Sequence, residues 1–101
     1  MYIQRSPGVA LEFTWDARKD RLNRRKHGVS FDAAMRVFDD PSHLTEQDRE
    51  VQNEPRWQTI GIVEQNVLLV AHTVDEEDEV IRIISARKAT RSERRTYAES
   101  Q

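Results

Sequence analysis

The strongest constraint on the fold is a nearly continuous apolar stretch over residues 67–74. Its length suits a β-strand and is far too short for a helix that spans a membrane. A strand without polar alternation is buried on both faces, so it predicts the centre of a sheet. Because a chain of 101 residues can build only one modest core, we expect a single domain over residues 10–101 and a loose leader over residues 1–9.

Helices and a strand are predicted before this central strand. Residues 10–15 alternate as a short strand, with Phe13 and Trp15 on one face. A basic first helix is bounded by Asp16 as its N-cap and Gly28 as its C-cap. Ser30 can begin a second helix, which carries apolar residues at helical spacing to about residue 39.

Further strands and one helix complete the pattern. Residues 41–55 are polar and acidic, which predicts a short strand or an irregular loop, and strands follow at 57–63, 67–74 and 80–87. Thr90 and Glu93 have the spacing of a capping box, so a terminal helix begins there. The order predicts an α+β domain with an N-terminal strand and two helices, an antiparallel sheet and a C-terminal helix.

Charge is distributed unevenly along the chain, although the formal net charge is only -2. Residues 16–27 hold six bases against two acids, and residues 80–97 hold six bases against one acid. Between them, residues 32–79 hold thirteen acids against three bases. Two basic segments that meet in space would form a surface that attracts phosphate.

The strand 80–87 carries an arginine near each end, Arg82 and Arg87. Guanidinium groups are costly to desolvate, and their planar donors match phosphate geometry. The structural alternative is that both arginines pair with nearby carboxylates. Side chains alternate along a strand, so only one of the two is expected to line a given site unless a bulge intervenes.

The composition excludes several classes of site. The chain has no cysteine, which removes disulfides, thiolate catalysis and thiolate metal sites. The three histidines are far apart, and the three glycines are isolated, so neither a metal site nor a glycine-rich phosphate loop is expected. We therefore expect no metal and no cofactor.

Cleavage of RNA needs neither a metal nor a cofactor, because the 2′-hydroxyl of the substrate can attack the adjacent phosphate. The protein must supply cations for the phosphate and groups that move protons. We predict Arg56 and Arg82 as the cations and His72 as the acid or base. Lys26, Arg87 and Tyr97 are predicted to contact RNA. The structural alternative for His72 is a core or surface histidine with satisfied hydrogen bonds, and for Tyr97 a packing role.

Several segments of the chain resemble BrnT-type toxins over nearly the whole of residues 11–99. Two of them, KHGVSF and RIISAR, are specific for the family at this separation. The resemblance is carried by residues 13–16 (FTWD), Asn23, 26–31 (KHGVSF), 37–41 (VFDDP), Arg56 with 60–61 (IG), 72–73 (HT) and 82–87 (RIISAR).

The resemblance implies a compact RelE-like fold and a ribonuclease that arrests translation. It also implies a ribbon-helix-helix antitoxin, in a 2:2 complex if that antitoxin dimerises, through which alone the toxin reaches operator DNA. The lack of cysteine, of a long apolar run and of a hydrophobic signal segment predicts a soluble cytoplasmic protein. No membrane association is expected. The antitoxin should cover the basic face, and we predict that its contacts include Arg21, Arg25, Arg91 and Arg94.

The chain departs from the family pattern at three places. Pro55 stands where an acidic residue usually precedes the arginine, Val74 and Asp75 stand where another arginine is usual, and residues 64–66 replace a hairpin that bears glycine. The missing arginine would either weaken the binding of phosphate or shift it to Arg56 and Arg82.

Two other classes of function are compatible with these features. The chain could be a non-catalytic module that binds nucleic acid or a partner within an autoregulatory complex, in which case RNA affinity would depend strongly on salt without turnover. It could also be a structural partner protein whose basic helix is the interface. The family resemblance favours the ribonuclease.

Overall fold

A computed structural model of the protein describes residues 2–5, 11–75 and 77–101. Within these residues the chain forms six strands and three α-helices, and the second helix continues into one turn of 3₁₀ helix. The elements are β1 (Tyr2–Arg5), β2 (Glu12–Trp15), α1 (Ala17–His27), α2 (Phe31–Met35), the 3₁₀ turn (Arg36–Asp39), β3 (Leu44–Val51), β4 (Glu54–Val63), β5 (Asn66–Asp75), β6 (Val80–Lys88) and α3 (Arg91–Glu99).

The strands form one mixed sheet with the order β1-β2-β6-β5-β4-β3. The α+β class is confirmed, and β5 has a neighbour on each side, as the apolar stretch predicts. The sheet is not wholly antiparallel, because β2 and β6 run parallel. The chain leaves β2 through two helices and the β3–β5 meander before β6 returns beside β2, and such a crossover joins parallel neighbours.

The N-terminal segment differs in part from its prediction. Tyr2–Arg5 forms β1 and pairs antiparallel with β2, where no regular structure was expected. Met1 and residues 6–9 of the predicted leader lie outside the described residues, as does Ala10 of the predicted first strand.

The acidic segment 41–55 contains a regular strand, which is one of the two structures predicted for it. It forms β3 and a two-residue turn into β4, in which Gln52 and Asn53 both have positive φ. Such angles are typical of tight hairpin turns. The sequence does not signal this hairpin, because glycine is absent and Pro55 lies at the start of β4.

The core lies between one face of the sheet and the helices α1 and α2. The largest apolar side chains that are fully buried there are Phe13, Phe31, Val37, Val70 and Ile83. We call this the helix face of the sheet. The opposite side, the outer face, carries Leu69, Ala71 and Thr73 of β5, which alternate with the core residues of the same strand.

A buried asparagine joins α1 to the edge of β6 beyond the end of β2. The Nδ2 group of Asn23 donates to the carbonyls of Val29 (2.9 Å) and Ala86 (2.8 Å), and its Oδ1 accepts from the amide of Ala86 at 3.2 Å. The side chain thus takes the place of a neighbouring strand. Asn23 is one of the residues that carry the family resemblance. A side-chain amide suits this position because it both donates to and accepts from the backbone of Ala86.

Candidate functional site

A β-bulge in β6 decides which side chains share the outer face. Ala71 pairs with Ser85, whereas the next residue of β5, His72, pairs with Ile83, so Ile84 is an extra residue. The bulge reverses the alternation of β6 at this point. Arg82, opposite Thr73, and Arg87, opposite Leu69, therefore lie on the same face. The bulge is the exception under which both arginines of β6 could lie on one face.

Arg82 lies in the middle of a polar arrangement on the outer face. Its Nε donates to Oγ1 of Thr73 at 3.3 Å, and its NH2 group lies 2.8 Å from Oε1 of Glu54. The side chains of Arg82 and Glu54 are 39% and 49% exposed, so this ion pair is open to solvent. An open cleft of about 610 Å³ lies beside it, lined among others by Thr14, Thr73 and Arg82.

Arg56 lies on the same face, across β5 from Arg82. Trp57 pairs with His72, so Arg56 is in line with Thr73, the partner of Arg82. Two strand spacings separate the two arginine positions, or about 10 Å. The Nε of Arg56 is buried and has no acceptor among the described residues. A guanidinium that is partly desolvated and lacks a partner is costly in a purely structural role.

Arg87 is engaged within the protein. Its two terminal nitrogens donate to the two carboxylate oxygens of Glu93 at 2.7 and 2.9 Å. Glu93 also accepts from the amide of Thr90, which completes the predicted capping box at the start of α3. The hydrogen bonds from Arg87 are the main cause that lowers the pKa of Glu93 to about 2. The observed role of Arg87 is thus to hold α3 against the sheet, and the fork that was predicted to contact RNA is occupied.

Tyr97 fastens the other end of α3. Its hydroxyl donates to Oδ2 of Asp40, and the same carboxylate accepts from the amides of Ile62 and Ser42 at 2.9 Å. Burial and the neighbouring carboxylate raise the pKa of Tyr97 to about 12. The hydroxyl is thereby directed towards Asp40, and the predicted contact with RNA has no support in this geometry.

His72 lies on the helix face, opposite to the two arginines in the sheet. Its side chain is 1% exposed and stacks edge-on against Phe38 with the ring centroids 5.3 Å apart. Its Nε2 lies 2.8 Å from Oγ1 of Thr59. Burial lowers the pKa of His72 to about 4, so the ring is neutral at pH 7. This position is at odds with the predicted role in proton transfer and agrees with the structural alternative.

The buried imidazole predicts a loss of stability in mild acid. The unfolded chain binds a proton at His72 below pH 6.5, whereas the folded chain does so only near pH 4. Stability is therefore complete above pH 6.5 and falls as the pH falls towards 4. From this group we expect a loss of about 2 kcal/mol in the free energy of unfolding between pH 7 and pH 5.

Urea unfolding of the wild type and of His72→Gln at the two pH values measures this loss. Glutamine can keep the hydrogen bond to Thr59 and does not titrate, so the variant should show a smaller difference between the two pH values. An equal difference in both proteins would show that other groups cause it. Because His72 faces the core, the folded variant should still cleave RNA.

The remaining predicted residues are exposed on two helices. Arg21, Arg25 and Lys26 lie on α1, and Arg91 and Arg94 lie at the start of α3. Lys26 and Ser85 line one shallow cleft between α1 and the bulge of β6. Arg94 is partly engaged, since its NH1 donates to the carbonyl of Ala89 at 2.9 Å.

The residues that the structure describes contain no group of three or more histidine or acidic side chains that could hold a metal ion. They contain no helix that is long and apolar enough to cross a membrane.

The chain matches a known protein family. The ribonuclease toxin BrnT of type II toxin–antitoxin systems matches residues 15–93. The chain belongs to the BrnT family. It is thus a ribonuclease toxin with a cognate antitoxin as its partner, and the resemblance of the sequence is confirmed. No curated protein matches the chain. The match to BrnT toxins includes Arg56 and Arg82 and ends at Glu93, before Tyr97.

The sequence pattern does not predict that Glu54 lies beside Arg82 on the outer face. The predicted strand began at residue 57, whereas β4 begins at Glu54. Alternation from Arg56 back to Glu54 would have placed both side chains on one face. The signal was hidden because Pro55 is unfavourable within a strand.

Proposed function

We propose that this BrnT toxin cleaves RNA without a metal ion and thereby arrests translation. The 2′-hydroxyl of the substrate attacks the adjacent phosphate, and the products carry a 2′,3′-cyclic phosphate and a 5′-hydroxyl. Arg56 and Arg82 on the outer face bind the phosphate and stabilise the charge that develops on it. Lys26 on α1 contacts the RNA backbone.

The position of the two guanidinium groups carries this proposal. Both lie on the accessible face of a rigid sheet, across one strand from each other, and Arg56 has no ion pair with the described residues. Arg82 has donors beyond those used by Thr73 and Glu54, so it can bind a phosphate oxygen without losing its present partners. Two arginines at this separation can bind one phosphate group from both sides.

The antitoxin is proposed to use the exposed basic residues of the two helices. Arg21 and Arg25 on α1 and Arg91 and Arg94 on α3 offer positive charge to an acidic partner. A partner that covers them would also hinder RNA from reaching the outer face. We propose a ribbon-helix-helix antitoxin that binds as a dimer, which gives a 2:2 complex that reaches operator DNA through the antitoxin.

Purified toxin, freed of its antitoxin and incubated with RNA in EDTA, tests the reaction. We expect cleavage to 2′,3′-cyclic phosphate ends, whereas RNA that is methylated at every 2′-oxygen should bind and stay intact. Cleavage that stops in EDTA and returns with added Mg²⁺ would contradict the metal-independent reaction. Salt-dependent binding with no cleavage would instead favour the non-catalytic nucleic-acid-binding module.

A further inference from the structure

The proposed reaction needs a group that accepts the proton of the attacking 2′-hydroxyl. His72 does not meet this need, because it is buried on the helix face and hydrogen bonded to Thr59. An acceptor must lie on the outer face, within reach of a phosphate held by Arg56 and Arg82. Carboxylates are ionised at neutral pH and can serve as general bases.

Two other carboxylates near this face already cap backbone amides, and a third lies beneath α3. Asp75 accepts from the amides of Glu77 and Asp78 at 3.1 Å and so caps the turn between β5 and β6. Glu93 is held by Arg87 and caps α3. Glu46 pairs with Gln58 and lines the cleft beneath α3, towards the other end of β4 from Arg82.

Glu54 differs from these groups in its contact with Arg82 and in its exposure to solvent. Its Oε1 lies 2.8 Å from Arg82, while half of its side chain is open to solvent. It is two residues from Arg56 on β4 and so shares the outer face with it. A phosphate bound to Arg82 would therefore lie directly beside this carboxylate.

We propose that Glu54 is the general base of the reaction, an inference that rests on the proposed ribonuclease function. The proton of the 2′-hydroxyl passes to a carboxylate oxygen of Glu54 as the O2′–P bond forms. The P–O5′ bond breaks, and the departing O5′ takes a proton from water. Glu54 then returns its proton to the hydroxide that remains. Arg82 holds the carboxylate in place and the phosphate beside it.

Glu54→Gln tests the proposal in the purified toxin, because glutamine keeps the shape of the side chain and cannot accept the proton. We expect the single-turnover rate of cleavage to fall by about 10²–10⁴-fold, the usual contribution of a general base. Binding of RNA methylated at its 2′-oxygens should be unchanged or tighter, because a negative charge near the phosphate is removed. Glu54→Asp, which keeps a carboxylate, should retain part of the rate.

The matched control is Glu46→Gln, which removes the same charge from the same face without touching Arg82. It should cleave like the wild type. If the wild type itself does not cleave, the proposed function fails. If the wild type cleaves, Arg82→Ala does not and Glu54→Gln does, then only the role of Glu54 is overturned. A loss of RNA affinity as large as the loss of rate would also overturn it, since Glu54 would then act in binding alone.

Discussion

Arg82→Ala is expected to lower the rate of RNA cleavage by about 10²–10³-fold, as for the loss of one preorganised donor to a transition-state oxyanion. Two groups fix the direction of the Arg82 side chain: the Thr73 hydroxyl and the Glu54 carboxylate. A cation that is already oriented does not reorganise when the phosphate acquires charge, and the substitution removes this advantage. Cells that express the variant without antitoxin should grow, whereas cells that express the wild type should stop growing and lose intact RNA.

Arg36→Ala is a suitable control for this experiment. Arg36 is exposed at the start of the 3₁₀ turn, on the helix side of the protein, so the variant loses the same charge far from the outer face. It should remain toxic. A folded Arg82→Ala protein that still arrests growth would remove Arg82 from the site, and arrest by the wild type with intact RNA would indicate a different target.

Arg56→Met separates function from stability at the same site. Methionine can occupy the position of the arginine stem, and the buried Nε that has no described acceptor is removed. We expect cleavage to be lost while the free energy of unfolding is unchanged or rises, because an unsatisfied buried donor costs about 1–3 kcal/mol. A clear loss of stability would show that Arg56 has a structural role.

Asn23→Ala is expected to have the largest effect on stability. The substitution removes three hydrogen bonds and leaves the carbonyls of Val29 and Ala86 and the amide of Ala86 without their partner. Asn23 is 7% exposed, so water does not readily replace the lost groups. We expect the free energy of unfolding to fall by about 3 kcal/mol, a value for a broken network of buried hydrogen bonds.

Urea unfolding of proteins made in the Arg82→Ala background measures this loss, since that background is expected not to limit growth. Arg24→Ala, on an exposed position of the same helix, should change stability by no more than about 0.5 kcal/mol. Alanine is a better helix former than asparagine, so helix propensity cannot explain a loss. Equal stability of Asn23→Ala and the background would mean that α1 does not depend on this link to β6.

Much of the fold follows from local patterns in the sequence. The central strand was predicted from an apolar stretch, α1 from Asp16 and Gly28, and α3 from the capping box that Thr90 and Glu93 form. The residues of each signal lie close together in the sequence and act through backbone geometry or burial. Each signal can therefore be recognised without knowing which distant segment the element contacts. The parallel pairing of β2 with β6 and the hairpin at Gln52 and Asn53 could not be read in this way.

The roles of the charged and polar candidates depended on distant contacts. Arg82 and Arg87 lie in one strand, and each pairs with a glutamate. Arg87 donates to Glu93 through both terminal nitrogens, whereas Arg82 contacts Glu54 through one. A histidine exposed to water titrates near neutral pH, which suits proton transfer. In the folded protein His72 is buried against Phe38, and burial lowers the pKa of its ring to about 4.

The class of fold, the family and the candidate arginines can be predicted from local periodicity and from short motifs at a set separation. Which of those residues share a face depends on the pairing of distant strands. A single extra residue, Ile84, reverses the alternation of β6, and the partner strand that defines a bulge is far away in the sequence. The pairing of β5 with β6 therefore places Arg82 and Arg87 on one face and leaves His72 in the core.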